Sequence, residues 1–533
     1  MRRQDARARR WRPGRWRAVA AVVAILAGAN VHSYAPGSSG WRQRSPSLEY
    51  GPHGVGFTVI EALDSTRSFR PLRDHRGRLA AETARPVQLT VWYPASVESA
   101  APRMRAGEFR LLRETELDYG ARVTPAQAAR LRSEFIRTAV RTGAEAAGAE
   151  QVWDARTPAV RDAPPAPGKH PTVLHVGAAG VSNPLLPSYL ASHGFVVAAF
   201  PSNGRMTAAS LEFSPNALTL DTGVDDAGFA ASVLERMPYA DVRRLGVAAF
   251  SGSSLVALLW TMRDMRPGAL VTVEGWERYR RGADTIGESV LYDPNRIRVP
   301  FLMIERGPDE RSPQYAKVHD VVGSLRYADL TRVAFRDAAH ADFLSHVSFG
   351  HTPHHPEIYE SSARMIRLFL EATLGGNERS ARRLTNLRAP RENPFFTIVR
   401  TPSIGSVPTE EELFRLAEID PAAAAAAYRD GARIVEGHQL FREAVLTRAA
   451  IFARSADTRA AIMQIVTDAY PRSAGAWARL GEALVEAGRP EVADAALRRG
   501  LEAVERDPSL DATQRAEWRD RITRLLDREP LVR

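Results

Sequence analysis

Short apolar segments alternate with helical patterns between residues 171 and 335, and this alternation constrains the fold more than any other feature. The segments typical of buried strands are 171–176, 195–200, 245–250, 269–273, 299–305 and 332–335. Helical patterns lie between them at 185–193, 225–237 and 255–263. The alternation predicts an α/β fold with a doubly wound, mainly parallel sheet covered by helices on both faces. Ligands of such sheets bind at the carboxyl ends of the strands.

Ser251 follows the strand 245–250 in a turn of small residues that leads into a helix. In a nucleophile elbow, the positions two before and two after the serine must be small, because the backbone folds back on itself. Here these positions hold Ala249 and Ser253, so the usual Gly-x-Ser-x-Gly pattern becomes Ala-x-Ser-x-Ser. The pattern indicates a nucleophilic serine. The alternative is an ordinary strand-to-helix loop with a helix-capping serine.

Several segments resemble the α/β-hydrolases related to platelet-activating-factor acetylhydrolase and the dienelactone-hydrolase-like esterases, over roughly residues 50 to 375. The segments that carry the resemblance are 54–59, 85–94, 190–199, the turn at Ser251, 269–276 and 338–343. The resemblance implies a triad in the order serine, acid, histidine, which gives Ser251, Glu274 and His340. The family's acid is usually aspartate, so Glu274 is a departure. An oxyanion hole is expected from the amide of Gly252, the residue after the nucleophile, and by the resemblance from that of Ala178.

A second position for the acid stays open at this point. Many α/β-hydrolases carry the acid after a later strand, here 299–305, and Asp309 and Glu310 lie in the loop that follows it. Glu274 is preferred because the strand end around it resembles the acid-bearing strand of the acetylhydrolase relatives. The pair 309–310 is alternatively a charged, solvated turn.

The residue types suit acyl transfer without a cofactor. A serine hydroxyl is a poor nucleophile near neutrality, so a base must remove its proton, and an imidazole with an ordinary pKa of about 6.5 suits that role.

Histidines are frequent around and beyond His340, which raises the question of a metal site. They are His340, His346, His351, His354 and His355. Their spacings match no zinc pattern, so we expect no metal.

The first 29 residues have the pattern of a signal peptide. Eight arginines precede a short apolar stretch at 18–26, and Ala27-Gly28-Ala29 fits a cleavage site. We therefore expect an exported protein, periplasmic or secreted, with an uncleaved membrane anchor as the alternative. The segment 1–29 also carries +7 of the net charge of +10, so about +3 remains for the chain after residue 29. Such a small positive charge does not indicate a nucleic-acid partner.

The chain contains no cysteine, which excludes a thiolate nucleophile and a lipid-modified cysteine anchor. This absence separates the chain from the cysteine-dependent dienelactone hydrolases. It also fits export without disulfides.

Composition divides the remaining chain into three parts. A hydrolase domain is predicted over 30–376, with a helical insertion at about 104–168, followed by a linker over 377–408. From 409 to 533 the sequence consists mainly of helix formers, and one stretch follows the spacing of a tetratricopeptide repeat. The residues of that spacing are Trp477, Leu480, Gly481, Leu484, Gly488, Ala493 and Leu497. Stacked helix pairs of this kind bind a protein partner or mediate self-association, and a capping bundle without a partner is the alternative.

The sequence thus predicts an exported serine hydrolase that acts on a small ester or lipid. A catalytically impaired hydrolase domain that serves as a binding or scaffold protein through its helical repeats is the alternative, because the elbow lacks both glycines. Hydrolysis of peptides is not excluded by the triad, since acyl transfer is common to both reactions.

Overall fold

The computed structural model describes most of the chain from residue 48 onward. The described residues are 48–70, 78, 81–141, 146–177, 183–204, 216–307, 321–344, 355–387, 395–405, 408, 410–434 and 443–527. The chain divides into two compact units, Met1–Pro402 and Ser403–Arg533. The predicted signal segment 1–29 lies outside the described residues.

The first unit is built on a ten-stranded sheet. The strands are β1 (Gly54–Phe69), β2 (Thr83–Ala95), β3 (Ala159–Arg161), β4 (His170–Val176), β5 (Val196–Phe200), β6 (Ala240–Phe250), β7 (Pro267–Val273), β8 (Phe301–Arg306), β9 (Leu330–Phe335) and β10 (Phe396–Thr401). Their order across the sheet is β10-β9-β8-β7-β6-β4-β5-β2-β1-β3. Strands β4 to β9 are mutually parallel, whereas β2 and β10 pair antiparallel with their neighbours β5 and β9.

The six strands predicted from the apolar segments are β4 to β9, so the predicted α/β architecture is confirmed. Helices cover both faces, because each face of these strands is apolar. One face packs against the helices that flank β6, and the other packs against the helix that follows β9 in sequence. The parallel centre, the antiparallel strands and the two helical layers define the α/β-hydrolase fold, followed by a helical region.

The described helices of the first unit are α1 (Ala106–Leu111), α2 (Pro125–Arg141), α3 (Ala146–Asp154), α4 (Leu185–Ser192), α5 (Ala217–Leu234), α6 (Ser253–Arg263), α7 (Arg280–Gly287), α8 (Val321–Ser324), α9 (His355–Thr373) and α10 (Glu378–Thr385). Local sequence sets several of their ends. Asn216 caps α5 by accepting a hydrogen bond from the Thr219 amide at 3.1 Å. Gly194, with φ of +96°, allows the chain to turn sharply from α4 into β5.

The helical insertion lies at the β1 edge of the sheet. Phe109 of α1 packs against Phe57 and Trp92, with ring centroids 4.9 and 5.6 Å away, and all three side chains are buried. Strand β3 then adds to β1 in parallel. The insertion therefore extends the sheet at the edge opposite to β9 and β10.

The segment 377–408 differs from the predicted linker. It contains α10 and β10, and β10 pairs with β9 from Phe396 opposite Phe335 to Thr401 opposite Leu330. The physical reason is apolar burial, because Phe396 and Phe335 are both buried and their rings lie 5.4 Å apart. The chain therefore leaves the sheet after β10, close to the division between the two units.

The second unit is helical in its described part. Its helices are α11 (Glu410–Ile419), α12 (Pro421–Ile434), α13 (Glu443–Ile451), α14 (Ala456–Ala469), α15 (Ala474–Glu486), α16 (Pro490–Val504) and α17 (Ala512–Leu526). The helices α15 and α16 coincide with the predicted repeat, and the close contact of Gly481 with the Leu497 side chain brings them together. Assignment to the tetratricopeptide family stays a prediction.

Within the residues described, no helix combines the length and the apolar character needed to cross a membrane.

We predict that the end of the sheet unit lies after β10. A chain that ends at Gly405 should fold with a single cooperative transition, because it keeps β10 and the Phe396 side chain. A chain that ends at Leu387 should be less stable by at least about 3 kcal/mol, the usual cost of removing one buried phenylalanine. Urea unfolding followed by circular dichroism measures the difference. Equal stability of the two chains would show that β10 is dispensable.

Candidate active site

Ser251 lies directly after β6, on the turn that leads into α6. Its φ is +56°, in the left-handed region that residues other than glycine rarely adopt. Two backbone hydrogen bonds hold this turn: Ser251 N–H donates to the Val273 carbonyl at 2.9 Å, and Ser254 N–H donates to the Ser251 carbonyl at 3.1 Å. Such a backbone costs about 1–3 kcal/mol and occurs mainly at functional sites. The sharp turn is the backbone feature that a nucleophile elbow requires.

Glu274 occupies the equivalent position at the end of the next strand, β7. Its φ is +54°, and its N–H donates to the Ile304 carbonyl of β8 at 2.7 Å. The side chain is fully buried, with 0% of its surface exposed. Two neighbouring strands of the sheet therefore end in residues with strained backbones, and both residues were predicted to belong to the site.

The buried carboxylate of Glu274 is held by nitrogen donors on both of its oxygens. Oε1 accepts from the Arg278 guanidinium at 2.6 Å and from the Arg306 backbone N–H at 2.7 Å. Oε2 lies 3.0 Å from His340 Nδ1 and 3.4 Å from Arg306 Nε. A buried charge is tolerated only when it is paired and hydrogen-bonded in this way.

The contacts of Glu274 determine its protonation. Burial alone would raise its pKa, but the hydrogen bond with His340 and the charges of Arg278 and Arg306 outweigh burial and lower the pKa from 4.5 to about 2. Glu274 is therefore ionised at neutral pH. An ionised Glu274 favours the tautomer of His340 that carries its proton on Nδ1, which leaves Nε2 free to accept one.

His340 begins a short 3-10 helix, His340–Phe343, in the loop after β9. Asp342 fixes this loop, since its buried carboxylate accepts from the Ala339 N–H at 2.7 Å. The imidazole packs on the Phe250 ring, with centroids 4.8 Å apart, and 43% of the His340 side chain remains exposed. Phe250 directly precedes Ser251, so the imidazole packs on the strand that leads to the serine and also contacts the acid.

Ser251 and His340 make no side-chain hydrogen bond to each other in this structure, although both are among the described residues. Catalytic hydrogen bonds are often long in the absence of substrate and shorten in the complex. The N–H of Gly252 has no acceptor among the described groups, and Gly252 caps the amino end of α6. This amide and the positive end of the helix dipole are available to an anion next to Ser251.

Some predicted residues lie outside the described part of the chain. These are Ala178, Asp309 and Glu310, together with His346, His351 and His354. The choice of Glu274 over 309–310 therefore rests on the contacts of Glu274 itself.

Among the described residues, no group of three histidine, aspartate or glutamate side chains is placed to hold a metal ion.

Sequence reasoning missed the arginines that surround the acid. Arg278 also donates to Glu305 at 3.3 Å and to the Arg306 carbonyl at 2.8 Å, so it links the turn after β7 to the end of β8. Arg332 of β9 donates to Glu305 at 2.8 Å. The one available signal was the spacing of Glu274 and Arg278, four residues apart, which suits an ion pair on one turn of chain.

No protein-family model matches the chain, and no curated protein sequence matches it significantly. Among solved structures, the chain is similar to one described as a ferulic acid esterase from Streptomyces cinnamoneus. The sequence identity is 17% and the TM-score 0.43, with 68% of this chain and 100% of that chain covered. The strand order defines the fold independently of this likeness, and the contacts around Glu274 define the candidate site.

We predict that Glu274 contributes a pH-dependent part of the stability. Because its pKa is about 2 in the folded protein and ordinarily 4.5, its contribution is complete above about pH 4.5 and is lost as pH falls towards 2. A shift of this size corresponds to roughly 3 kcal/mol. Glu274→Gln should therefore unfold more easily than the parent at neutral pH, with a difference that shrinks below about pH 4.5.

Urea unfolding at several pH values between about 3 and 7 measures this difference. The control is Glu288→Gln, because Glu288 is exposed at the end of α7. A stability difference between parent and Glu274→Gln that stays constant with pH would contradict the depressed pKa of Glu274.

Proposed function

We propose that the protein is a serine hydrolase that acts on ester bonds, with Ser251 as nucleophile, His340 as base and Glu274 as the orienting acid. The observation that carries the proposal is the 3.0 Å contact between His340 Nδ1 and Glu274 Oε2 beside a serine with φ of +56°. An elbow serine, an imidazole and a buried carboxylate at adjacent strand ends form the constellation that acyl transfer needs.

In the proposed reaction, Ser251 Oγ attacks the carbonyl carbon of the ester and His340 Nε2 takes the hydroxyl proton. The imidazolium formed in this step is stabilised by the ionised Glu274, whose pKa of about 2 keeps it charged throughout. His340 then gives the proton to the departing alkoxide oxygen, which leaves an acyl group on Ser251. Water, deprotonated by His340, attacks the acyl carbon; the bond to Ser251 Oγ then breaks, Oγ takes the proton back from His340, and the carboxylic acid product leaves.

The oxyanion of the tetrahedral intermediate needs preorganised N–H donors, each worth about 3–4 kcal/mol. Gly252 N–H is our first donor, supported by its place after Ser251 and its lack of another acceptor among the described groups. The amide of Ala178 is our second donor. Ala178 follows β4 in the sequence, and in this fold a loop after an early strand contributes to the oxyanion hole.

The substrate class is proposed from the resemblance to the acetylhydrolases: esters with a short acyl group, including those of phospholipids. Export to the periplasm or the medium is proposed from the segment 1–29 alone. Interaction of the helical tail with a protein partner or a second copy remains a prediction from its repeat-like spacing, and so does the binding-protein alternative.

We predict that a fluorophosphonate labels Ser251 and that Ser251→Ala abolishes turnover of p-nitrophenyl acetate. The neighbouring hydroxyls of Ser253 and Ser254 are buried and should stay unlabelled. The control is Ser232→Ala, since the Ser232 hydroxyl is bonded to the Gly228 carbonyl within α5, at 3.0 Å. Peptide mapping by mass spectrometry locates the label. A label on another serine, or full turnover in Ser251→Ala, would remove the nucleophile assignment.

We predict that Glu274 and not the later loop supplies the acid. Glu274→Gln should lower kcat by several orders of magnitude, up to about 10⁴, because the imidazole loses its orienting charge. Asp309→Asn and Glu310→Gln should stay within about tenfold of the parent, as expected for solvated carboxylates. Steady-state kinetics on proteins shown to be folded by circular dichroism ranks the variants. The reverse ranking would move the acid to the later loop.

A further inference from the structure

Glu277 is a second buried glutamate close to the site, and the mechanism above does not use it. Only 1% of its surface is exposed. It lies in the 3-10 turn Trp276–Arg278, three residues after Glu274. A buried carboxyl group without a charged partner is costly to keep, so its neighbours indicate what it does.

The contacts of Glu277 join two elements that flank the elbow. Thr272, in β7, donates its hydroxyl to Glu277 Oε1 at 2.6 Å. The hydroxyl of Ser254, in the first turn of α6, interacts with the same carboxyl and also accepts from the Trp276 N–H at 2.9 Å. Ser254 in turn closes the elbow, because its N–H donates to the Ser251 carbonyl.

Gly275 makes room for this arrangement. A Cβ atom at Gly275 would lie 2.0 Å from Glu277 Oε2, so the carboxyl group folds back directly over the glycine. Oε2 itself is buried and makes no hydrogen bond to the described groups. A negative charge on an oxygen in that setting would be poorly solvated, whereas a neutral acid is compatible with it.

The charge of the neighbouring Arg278 lowers the pKa of Glu277, although the Arg278 guanidinium is itself bonded to Glu274 and Glu305. Of the elements packed against the turn, α6 begins with uncharged residues and α8 has none that is charged, while the charged Arg280, Arg281 and Asp284 of α7 are at least partly exposed. Burial is the largest influence and raises the pKa of Glu277, against the opposing effects of the Ser254 and Thr272 hydroxyls, a backbone hydrogen bond and the Arg278 charge.

We propose that Glu277 is a positioning residue for Ser251: as a neutral carboxylic acid, it ties Thr272 at the end of β7 to Ser254 in the first turn of α6. The inference rests on the proposed hydrolase function. These contacts, called the Glu277 tie below, fix the start of α6 relative to β7, the strand that Glu274 follows. They thereby also fix the strained turn of Ser251. The same turn carries Arg278, so the nucleophile and the acid are positioned by one buried cluster.

Two substitutions of Glu277 test whether the site needs a neutral carboxylic acid or an ionised one. Glu277→Gln keeps the shape, the acceptor for Thr272 and the absence of charge, so kcat should stay within about threefold of the parent. Glu277→Leu removes the polar contacts at similar volume, and kcat should fall about 10- to 100-fold with KM little changed, because a misplaced nucleophile slows the chemical step. The matched control is the exposed Glu288→Leu.

Steady-state kinetics and the rate of fluorophosphonate labelling at Ser251 measure these effects. A fall in Glu277→Gln as large as in Glu277→Leu would show that a charge is required and would overturn the proposal. So would an unchanged kcat in a folded Glu277→Leu, or a change confined to KM. If Glu277→Leu does not fold, Thr272→Val tests the same tie by deleting the 2.6 Å hydrogen bond, and it should lower kcat in the same direction.

Hydrogen exchange gives a readout that does not depend on activity. The amides of Ser254 and Trp276 should exchange faster in Glu277→Leu or Thr272→Val than in the parent, and at the parent rate in Glu288→Leu. If the parent protein has no esterase activity but the variants show faster exchange, the hydrolase function is contradicted and the structural role of Glu277 stands. If the parent is active but the variants exchange at the parent rate, the structural role of Glu277 alone is contradicted.

Discussion

The buried carboxylate of Glu274 is the constraint on which the candidate site depends. Its donors come from the ends of three neighbouring strands: Arg278 after β7, Arg306 at the end of β8 and His340 after β9. A charge in that position is stable only while all of these donors stay in place. The carboxylate therefore contacts His340 and links the ends of three neighbouring strands.

The sheet explains why the remaining groups meet at this place. Parallel neighbours β6 and β7 end at Phe250 and Val273, so the next residues, Ser251 and Glu274, leave the sheet side by side. Both turn with positive φ, and the energetic cost of each turn is offset by the backbone hydrogen bonds that Ser251 and Glu274 donate to the neighbouring strands. Phe250, the last residue of β6, packs against the imidazole of His340.

Much of the fold follows from the sequence, because apolar strands and helical periodicity are local signals. The six central strands were predicted within a few residues. Strand β10 was not, since its pairing with β9 depends on burial of Phe396 against a strand about sixty residues earlier. The altered elbow at Ser251 still identified the turn, because small side chains are its steric requirement. Arg306 and Glu277 escaped prediction because their roles arise from sheet register and burial, which no local spacing reveals.

The tautomer of His340 tests the account most directly. Nitrogen-15 NMR of the histidine side chains, with His340 assigned from a His340→Gln variant, reports which ring nitrogen carries the proton in the neutral form. We expect a proton on Nδ1 and an unprotonated Nε2 in the parent protein, with the Nδ1 preference lost in Glu274→Gln. A parent protein whose neutral His340 carries its proton on Nε2, or whose tautomer is unaffected by Glu274→Gln, would contradict the claim that Glu274 orients the base.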